Sequence, residues 1–216
     1  MRLPKPTEGG DFTPVPAGTW PAICYRVIDL GTQQTTYAGE VQEKHQVMLS
    51  WELKDDECVM RDGPKAGMPM TMHQTYTWSM HEKSNLRKTL EGWRGKKFSD
   101  ADFGEGGFDV RKLLGVPCLL SVIHNEKGDK VYANVAGVTK PPKGMQVGTL
   151  VNPTVFIALE LEEFDREAFS ALPDRIKDKI MDSPEYQRLA HGGGRDAAGD
   201  PGPQYEERNY EETIPF

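Results

Sequence analysis

Aromatic and basic side chains are interspersed through the first two thirds of this chain. Basic side chains can track a phosphate backbone and rings can stack on bases, each stacked base contributing about 1 to 3 kcal/mol. The combination therefore fits a single nucleic-acid strand. The candidate contact residues are Arg26, Tyr37, Lys44, His45, His73, Tyr76, Trp78, Lys83, Arg87, Lys88, Lys97 and Tyr132. Among the rings, we favour Tyr37, Tyr76 and Trp78 for stacking.

A second group of functional candidates stands at the C-terminus, where acids are followed by an apolar side chain, a proline and a ring. Such an end suits a partner protein whose apolar pocket takes the ring and whose basic rim takes the carboxylates. Pro215 limits the entropy lost on docking. The predicted docking residues are Glu211, Glu212, Ile214, Pro215 and Phe216.

The formal net charge of -7 argues at first against a nucleic-acid partner, because phosphate binding depends on Lys and Arg. The distribution of charge changes this conclusion. The segment 191–216 has six acids and two bases and so carries -4 of the total, whereas 83–97 has six bases and one acid. An acidic chain can therefore present a basic face.

Motifs for catalysis, cofactors and metals are missing from the sequence. It has no P-loop, no glycine pattern for dinucleotides, no H-E-x-x-H pair and no G-x-S-x-G elbow. Cys24, Cys58 and Cys118 lack C-x-x-C spacing, and His73 and His81 have no ordered carboxylates near them in sequence. We predict a protein that is not an enzyme and uses no cofactor or metal, with reduced, mostly buried thiols.

The hydropathy of the sequence indicates the size of the hydrophobic core and the cellular location of the protein. Hydrophobic residues make up 37% of the chain and its mean hydropathy is -0.60, which indicates a modest core with loops and tails. No apolar run reaches the roughly eighteen residues of a membrane span, and residues 1–6 lack the apolar run of a secretory signal. We expect a cytoplasmic protein without a membrane partner.

The elements that must position these residues follow from periodicity. Alternating side chains predict five strands, at 19–30, 45–53, 68–79, 116–124 and 130–138, with loops at 31–44 and 54–67. A helix begins after Ser84, carries its apolar stripe on Leu86, Leu90 and Trp93, and ends at Gly95. A short helix is predicted at 109–114, a further strand or added segment at 155–161, and short helices within 166–189.

The tryptophans divide by strand face. Trp51 shares its face with Val47, Leu49 and Leu53, so we expect it in the core rather than on a binding surface. We also doubt a stacking role for Trp20 and Trp93.

A helix between the third and fourth of five strands is the element order of an OB-fold, a mainly β fold with a partly open barrel. Such barrels bind oligonucleotides on the face of strands two and three and in the loops joining strands one to two and four to five. The predicted units are an N-terminal arm (1–18), an OB-fold domain that binds single-stranded DNA (19–138), a linker with a strand and helix extension packing on the barrel (139–190), and a disordered acidic tail (191–216).

Two groups of residues carry a resemblance to a known family. The ending Ile214-Pro215-Phe216 after acids resembles the tip of bacterial and phage single-stranded DNA-binding proteins. The segments 83–87, 93–95 and 18–20 are similar to phage-encoded OB-fold members of that group. The resemblance implies a role in phage DNA replication, recombination and repair inside a bacterial host cell. The chain departs from the bacterial pattern in having Glu211, Glu212 and Thr213 where aspartates are usual.

The leading hypothesis is therefore a protein that coats and protects single-stranded DNA and recruits helicase, polymerase or nuclease components through its tip. The tethered acidic tail is expected to compete with DNA for the basic face, so that DNA binding frees the tip. The alternative is a replisome adaptor that binds proteins only, and a nuclease is a third hypothesis without a supporting carboxylate cluster. The sequence is compatible with a homo-oligomer.

Overall fold

The computed structural model describes residues 13–37, 39–103, 107–128 and 130–191, without the side chain of Tyr37. The predicted N-terminal arm is thus described only from Thr13. The predicted tail, with its docking residues Glu211, Glu212, Ile214, Pro215 and Phe216, lies outside the described residues.

The chain is mainly β with a few helices, as predicted. The strands are β1 (Gly18–Tyr37), β2 (Glu40–Leu53), β3 (Thr71–Thr77), β4 (Pro117–Lys127), β5 (Lys130–Thr139) and β6 (Val155–Ile157). The helices are α1 (Asn85–Arg94), α2 (Arg166–Ser170), α3 (Asp174–Met181) and α4 (Pro184–His191). Short 3₁₀ turns occur at Asp56–Cys58, Asp100–Asp102 and Val110–Leu113.

Five antiparallel strands form the sheet in the order β3-β2-β1-β4-β5, and β6 pairs in parallel with β1. The long strand β1 makes this order possible because its first residues pair with β4 and the rest pair with β2. Strands β3 and β5 stand at the two ends, and no ladder joins them in the described part of the chain. The sheet is therefore not closed.

Helix α1 forms where its sequence signals place it. The Ser84 hydroxyl accepts a hydrogen bond from the Arg87 N–H, and Gly95 ends the helix with a φ of 72°. Leu86, Leu90 and Trp93 are buried along one side. The predicted cap, apolar stripe and stop are all confirmed.

The main core lies on the inner face of the sheet. Trp51 has no exposed surface, and its ring lies 6.0 Å from that of Trp93 on α1 at a tilt of 56°. Val47, Leu49 and Leu53 are buried on the same face of β2. The prediction that Trp51 and Trp93 are core residues is confirmed, and Trp20 is half-buried with its indole N–H bonded to a backbone carbonyl.

A second core lies on the outer face of β1 and β2. Ile28, Leu30 and Met48 point there and pack against buried side chains of the C-terminal segment, including Ile157 and Ile180. This second layer explains why β1 is apolar on both of its faces, since a strand covered on both sides excludes water from both. The segment that follows β5 thus covers part of the outer face of the sheet.

The predicted loop at 31–44 is wrong for most of its length. Strands β1 and β2 continue through it as a paired ladder to Tyr37 and Glu40. The ladder uses backbone groups, so its arms form even where the side chains on both faces are polar. Polar composition was therefore not a loop signal here.

Gly31 lies where the hairpin of β1 and β2 contacts the C-terminal helices. It has a φ of 67°, and a Cβ added to it would lie 2.5 Å from the side chain of Ser183, between α3 and α4. The Ser183 hydroxyl accepts the Tyr186 N–H, so it is held in place. Only glycine fits this approach without strain.

We expect Gly31→Ala to lower the free energy of unfolding by about 2 to 4 kcal/mol, since left-handed strain and overpacking add. Gly39→Ala is the matched control, because Gly39 has a φ of 84° but no atom within 4 Å of an added Cβ. Urea denaturation of both variants measures the difference. Equal losses in the two variants would show that backbone strain alone matters and that the contact with Ser183 does not.

Candidate nucleic-acid interface

A row of three side chains crosses the outer face of the sheet. Ser50 on β2 pairs with Arg26 on β1 and with His73 on β3. Paired positions of neighbouring strands point to the same face, so Arg26 and His73 flank Ser50, with roughly 10 Å between their Cα atoms. Two predicted contact residues, far apart in the sequence, thus lie together.

Arg26 carries an unmatched charge in this row. Its guanidinium carbon lies 5.1 Å from the centre of the Tyr25 ring. Its Nε is buried without a hydrogen-bond partner among the described residues, and no carboxylate of that part of the chain forms an ion pair with it. A half-buried cation with an unused donor is a site for an anion.

Two further cations come from α3, beside the covered part of the face. Arg175 and Lys179 are exposed and are separated by one helical turn, whereas Ile180 on the same helix is buried in the second core. Neither forms an ion pair within the described residues. The helix is thus anchored by its apolar side and offers Arg175 and Lys179 to the solvent.

The pKa of His73 is lowered by its surroundings. Burial lowers the pKa of His73, and the charges of Arg26, Lys179 and Arg175 lower it further. His73 is therefore neutral at pH 7. A bound phosphate would offset the surrounding positive charge and favour protonation of the ring, so His73 can become an additional cation when an anion binds.

Trp78 follows directly after β3. Its side chain is 45% exposed, and its backbone N–H donates to the carbonyl of His45 over 2.7 Å. The two rings lie 5.6 Å apart at a tilt of 54°. The ring of Trp78, one of the predicted stacking residues, is therefore exposed and packs beside His45.

His45 has an internal role in addition to its contact with Trp78. One ring nitrogen bonds to Asp29 at 2.7 Å, and the other lies 3.7 Å from Glu185 on α4. Burial disfavours the charged ring, but the hydrogen bond and the charges of the two carboxylates outweigh it and raise the pKa of His45. Glu185 also accepts from the N–H and hydroxyl of Thr32. The positive charge of His45 is therefore matched by the protein.

Arg87, one of the predicted contact residues, forms its hydrogen bonds within the protein. Its guanidinium bonds to the Glu91 carboxylate at 3.0 Å and to the backbone carbonyls of Met80 and Phe98. These bonds tie α1 to the segments before and after it. The positive charge of Arg87 is therefore matched by the Glu91 carboxylate. Lys83, Lys88 and Lys97 are exposed, as a contact role requires, but they lie on or beside α1 rather than in the row on the outer face.

The remaining predicted contact residues, three tyrosines and Lys44, lie in different environments. Tyr76 is only 7% exposed, and burial raises its pKa to about 12, so it is not the open stacking ring that we predicted. It points inward because β3 alternates, and Tyr76 pairs with the inward-facing Val47. Tyr132 is 48% exposed on β5. Tyr37 ends β1, and Lys44 is half-buried on β2.

Sequence reasoning did not select Arg175 and Lys179. The available signal was two bases one turn apart, opposite Ile176 and Ile180 on a short helix. That pattern shows a basic helix surface, but it does not show which strand the helix lies beside.

Two kinds of feature were sought in the described parts of the chain, a metal site and a membrane-spanning helix. No group of three or more His, Cys, Asp or Glu side chains there could hold a metal ion. None of the helices in these parts has the length and apolarity needed to cross a membrane. Comparison with models of known protein families and with curated proteins returned no match.

Proposed function

We propose that this chain binds single-stranded DNA along the outer face of β3, in a channel between β3 and α3. The convergence of four basic side chains there, Arg26, His73, Arg175 and Lys179, carries the proposal. They come from three separate elements and have no acidic partner among the described residues. A run of phosphates is the ligand that such a channel attracts.

The exposed ring of Trp78 supports a single strand over a duplex. Bases in a duplex are stacked on one another, whereas those of a single strand are free to stack on a protein ring. Trp78 lies at the end of β3, and His73 lies on the same strand. A single protein molecule can therefore supply both the cations that bind the phosphates and the Trp78 ring on which a base stacks.

We further propose that the sheet is a partly open barrel of the OB type. The strand order β3-β2-β1-β4-β5, with α1 between β3 and β4 in sequence, supports this assignment. In such barrels the face of strands two and three binds oligonucleotides. That is the face on which Arg26 and His73 meet.

The C-terminal docking residues complete the proposed function. The acids, Ile214, Pro215 and Phe216 would recruit proteins of DNA replication, recombination and repair, as their chemistry predicts. A protein-only adaptor remains the alternative function, because the docking residues serve it equally well. Binding of an oligonucleotide separates the two functions.

The test is a salt series with single- and double-stranded oligonucleotides of the same length. We expect Trp fluorescence to report tighter binding of the single strand, with an affinity that falls as salt rises. Absence of quenching and of a mobility shift at low salt would favour the adaptor.

The same titration on a chain lacking residues 205–216 tests the competition by the tail. We expect tighter DNA binding after the deletion, because a tethered acidic segment no longer competes, and loss of partner binding. Unchanged DNA affinity would remove the competition and leave the binding function standing.

A further inference from the structure

A cleft of about 390 Å³ opens between the two ends of the sheet. Gln74 and Tyr76 on β3 form one wall, residues 135–139 of β5 form the other, and Asn85, Lys88 and Thr89 of α1 lie beside them. The cleft exists because no ladder joins β3 to β5 in the described residues. Its volume lies in the range of small-ligand sites.

The β5 wall is irregular at this point. Ser121 pairs with Gly137 and Val122 pairs with Val135, so Ala136 is an extra residue in a β-bulge. A bulge leaves the extra residue outside the ladder, and bulges often lie beside binding sites. A Cβ added at Gly137, the residue after the bulge, would meet no atom within 4 Å.

The side chains around the cleft have unused hydrogen-bonding groups. The Asn85 amide and the Lys88 ammonium make no hydrogen bond or ion pair with other described residues, and the Gln74 amide makes only a long 3.4 Å bond to the carbonyl of Thr75. Tyr76, by contrast, is fixed by a hydrogen bond to Thr89. The cleft thus combines two adaptable amides, a cation and a rigid ring.

This chemistry suits a nucleotide. Side-chain amides offer a donor and an acceptor together, which matches the edge of a base, and Lys88 can meet the adjoining phosphate. A peptide strand added to β5 would need a longer open edge, but the backbone of α1 at Gly92 approaches the carbonyl of Val138 so closely that a Cβ there would lie 2.8 Å from it. A single planar base therefore suits the cleft better than an added peptide strand does.

We propose that the cleft holds one base of the bound strand, with the amides of Gln74 and Asn85 on its edge. The proposal rests on the proposed function and adds a base site to the phosphate channel. Gln74 follows His73 directly in β3 but points to the opposite face. A DNA strand bound at His73 therefore reaches the cleft by passing over β3, which stands at one end of the open sheet.

The test compares an oligo-dT with an oligomer of equal length that has abasic deoxyribose units in place of the bases. For Gln74→Ala/Asn85→Ala we expect about tenfold weaker binding of oligo-dT and a change below about twofold for the abasic oligomer. Gln146→Ala/Gln187→Ala, which removes two amides outside the cleft, is the matched control.

The outcomes separate the two proposals. Unchanged oligo-dT affinity in Gln74→Ala/Asn85→Ala, or equal losses on the two oligomers, overturns the base site and leaves binding of single-stranded DNA intact. If the unsubstituted protein binds neither oligomer, the proposed function itself is overturned. Thermal unfolding of each variant confirms that a loss of binding does not come from loss of the fold.

Discussion

The double substitution Arg175→Glu/Lys179→Glu is expected to weaken binding of oligo-dT about 30-fold at low salt. Both side chains are exposed on α3 and act on His73 through their charge, so their reversal places two carboxylates in the proposed channel. The slope of log affinity against log salt should become shallower by about 1.4, since each phosphate contact on a single strand contributes about 0.7. Fluorescence titration over a salt series measures both quantities.

The control for this prediction is Lys65→Glu/Lys143→Glu. It makes the same change in net charge at two exposed loop positions that lie on neither β3 nor α3. We expect a much smaller loss of affinity in the control, because only the long-range field changes. If both double variants lose affinity equally, the effect follows net charge and the channel is not the binding site.

Glu52 is the second position where a large effect is expected. It lies on β2 and has no exposed surface. Its carboxylate accepts from the Lys54 ammonium at 2.6 Å, from the backbone N–H groups of Val151 and Asn152, and from the Asn152 amide. One side chain therefore ties the sheet to the segment that leads into β6.

We expect Glu52→Ala to lower the free energy of unfolding by about 3 to 5 kcal/mol, because it leaves the largely buried Lys54 ammonium and three N–H donors unpaired. Urea denaturation measures this loss. Glu43→Ala is the matched control, since Glu43 is an exposed residue of the same strand. A similar small loss in both variants would contradict the proposed tie.

The pH dependence of the same variant has a definite sign. Burial alone would raise the pKa of Glu52, but the bonds from Lys54, Val151 and Asn152 outweigh it and lower the pKa below the ordinary 4.5. The contribution of Glu52 to stability is thus complete above pH 4.5 and is lost as the pH falls through the lowered pKa. The stability difference between the parent and Glu52→Ala should therefore shrink below that pH.

Local signals predicted several of the elements correctly. Helix α1 was predicted from Ser84, its apolar stripe and Gly95, because caps and stripes act within a few residues of the chain. The core position of Trp51 followed from the alternation along β2, since side chains two residues apart share a face. The predicted loop at 31–44 was wrong because backbone pairing between the strands, rather than side-chain polarity, decides how far a hairpin extends.

The candidate site was only partly predictable. Arg26 and His73 were selected from their strands, but Tyr76 and Arg87 were selected as well, and both are used inside the protein. Residue type and strand position did not distinguish the side chains that are open to a ligand from those that bond or pack within the protein. The difference lies in the partners that other elements bring to each side chain.

By itself, the sequence determined the mainly β class, the helix between the third and fourth strands, and the separation of a basic segment from an acidic end. Only the tertiary structure decided that α3 lies over the outer face and brings Arg175 and Lys179 to Arg26 and His73. The physical reason is that this meeting depends on how buried apolar surfaces of distant segments pack together. No local pattern of charges specifies that packing.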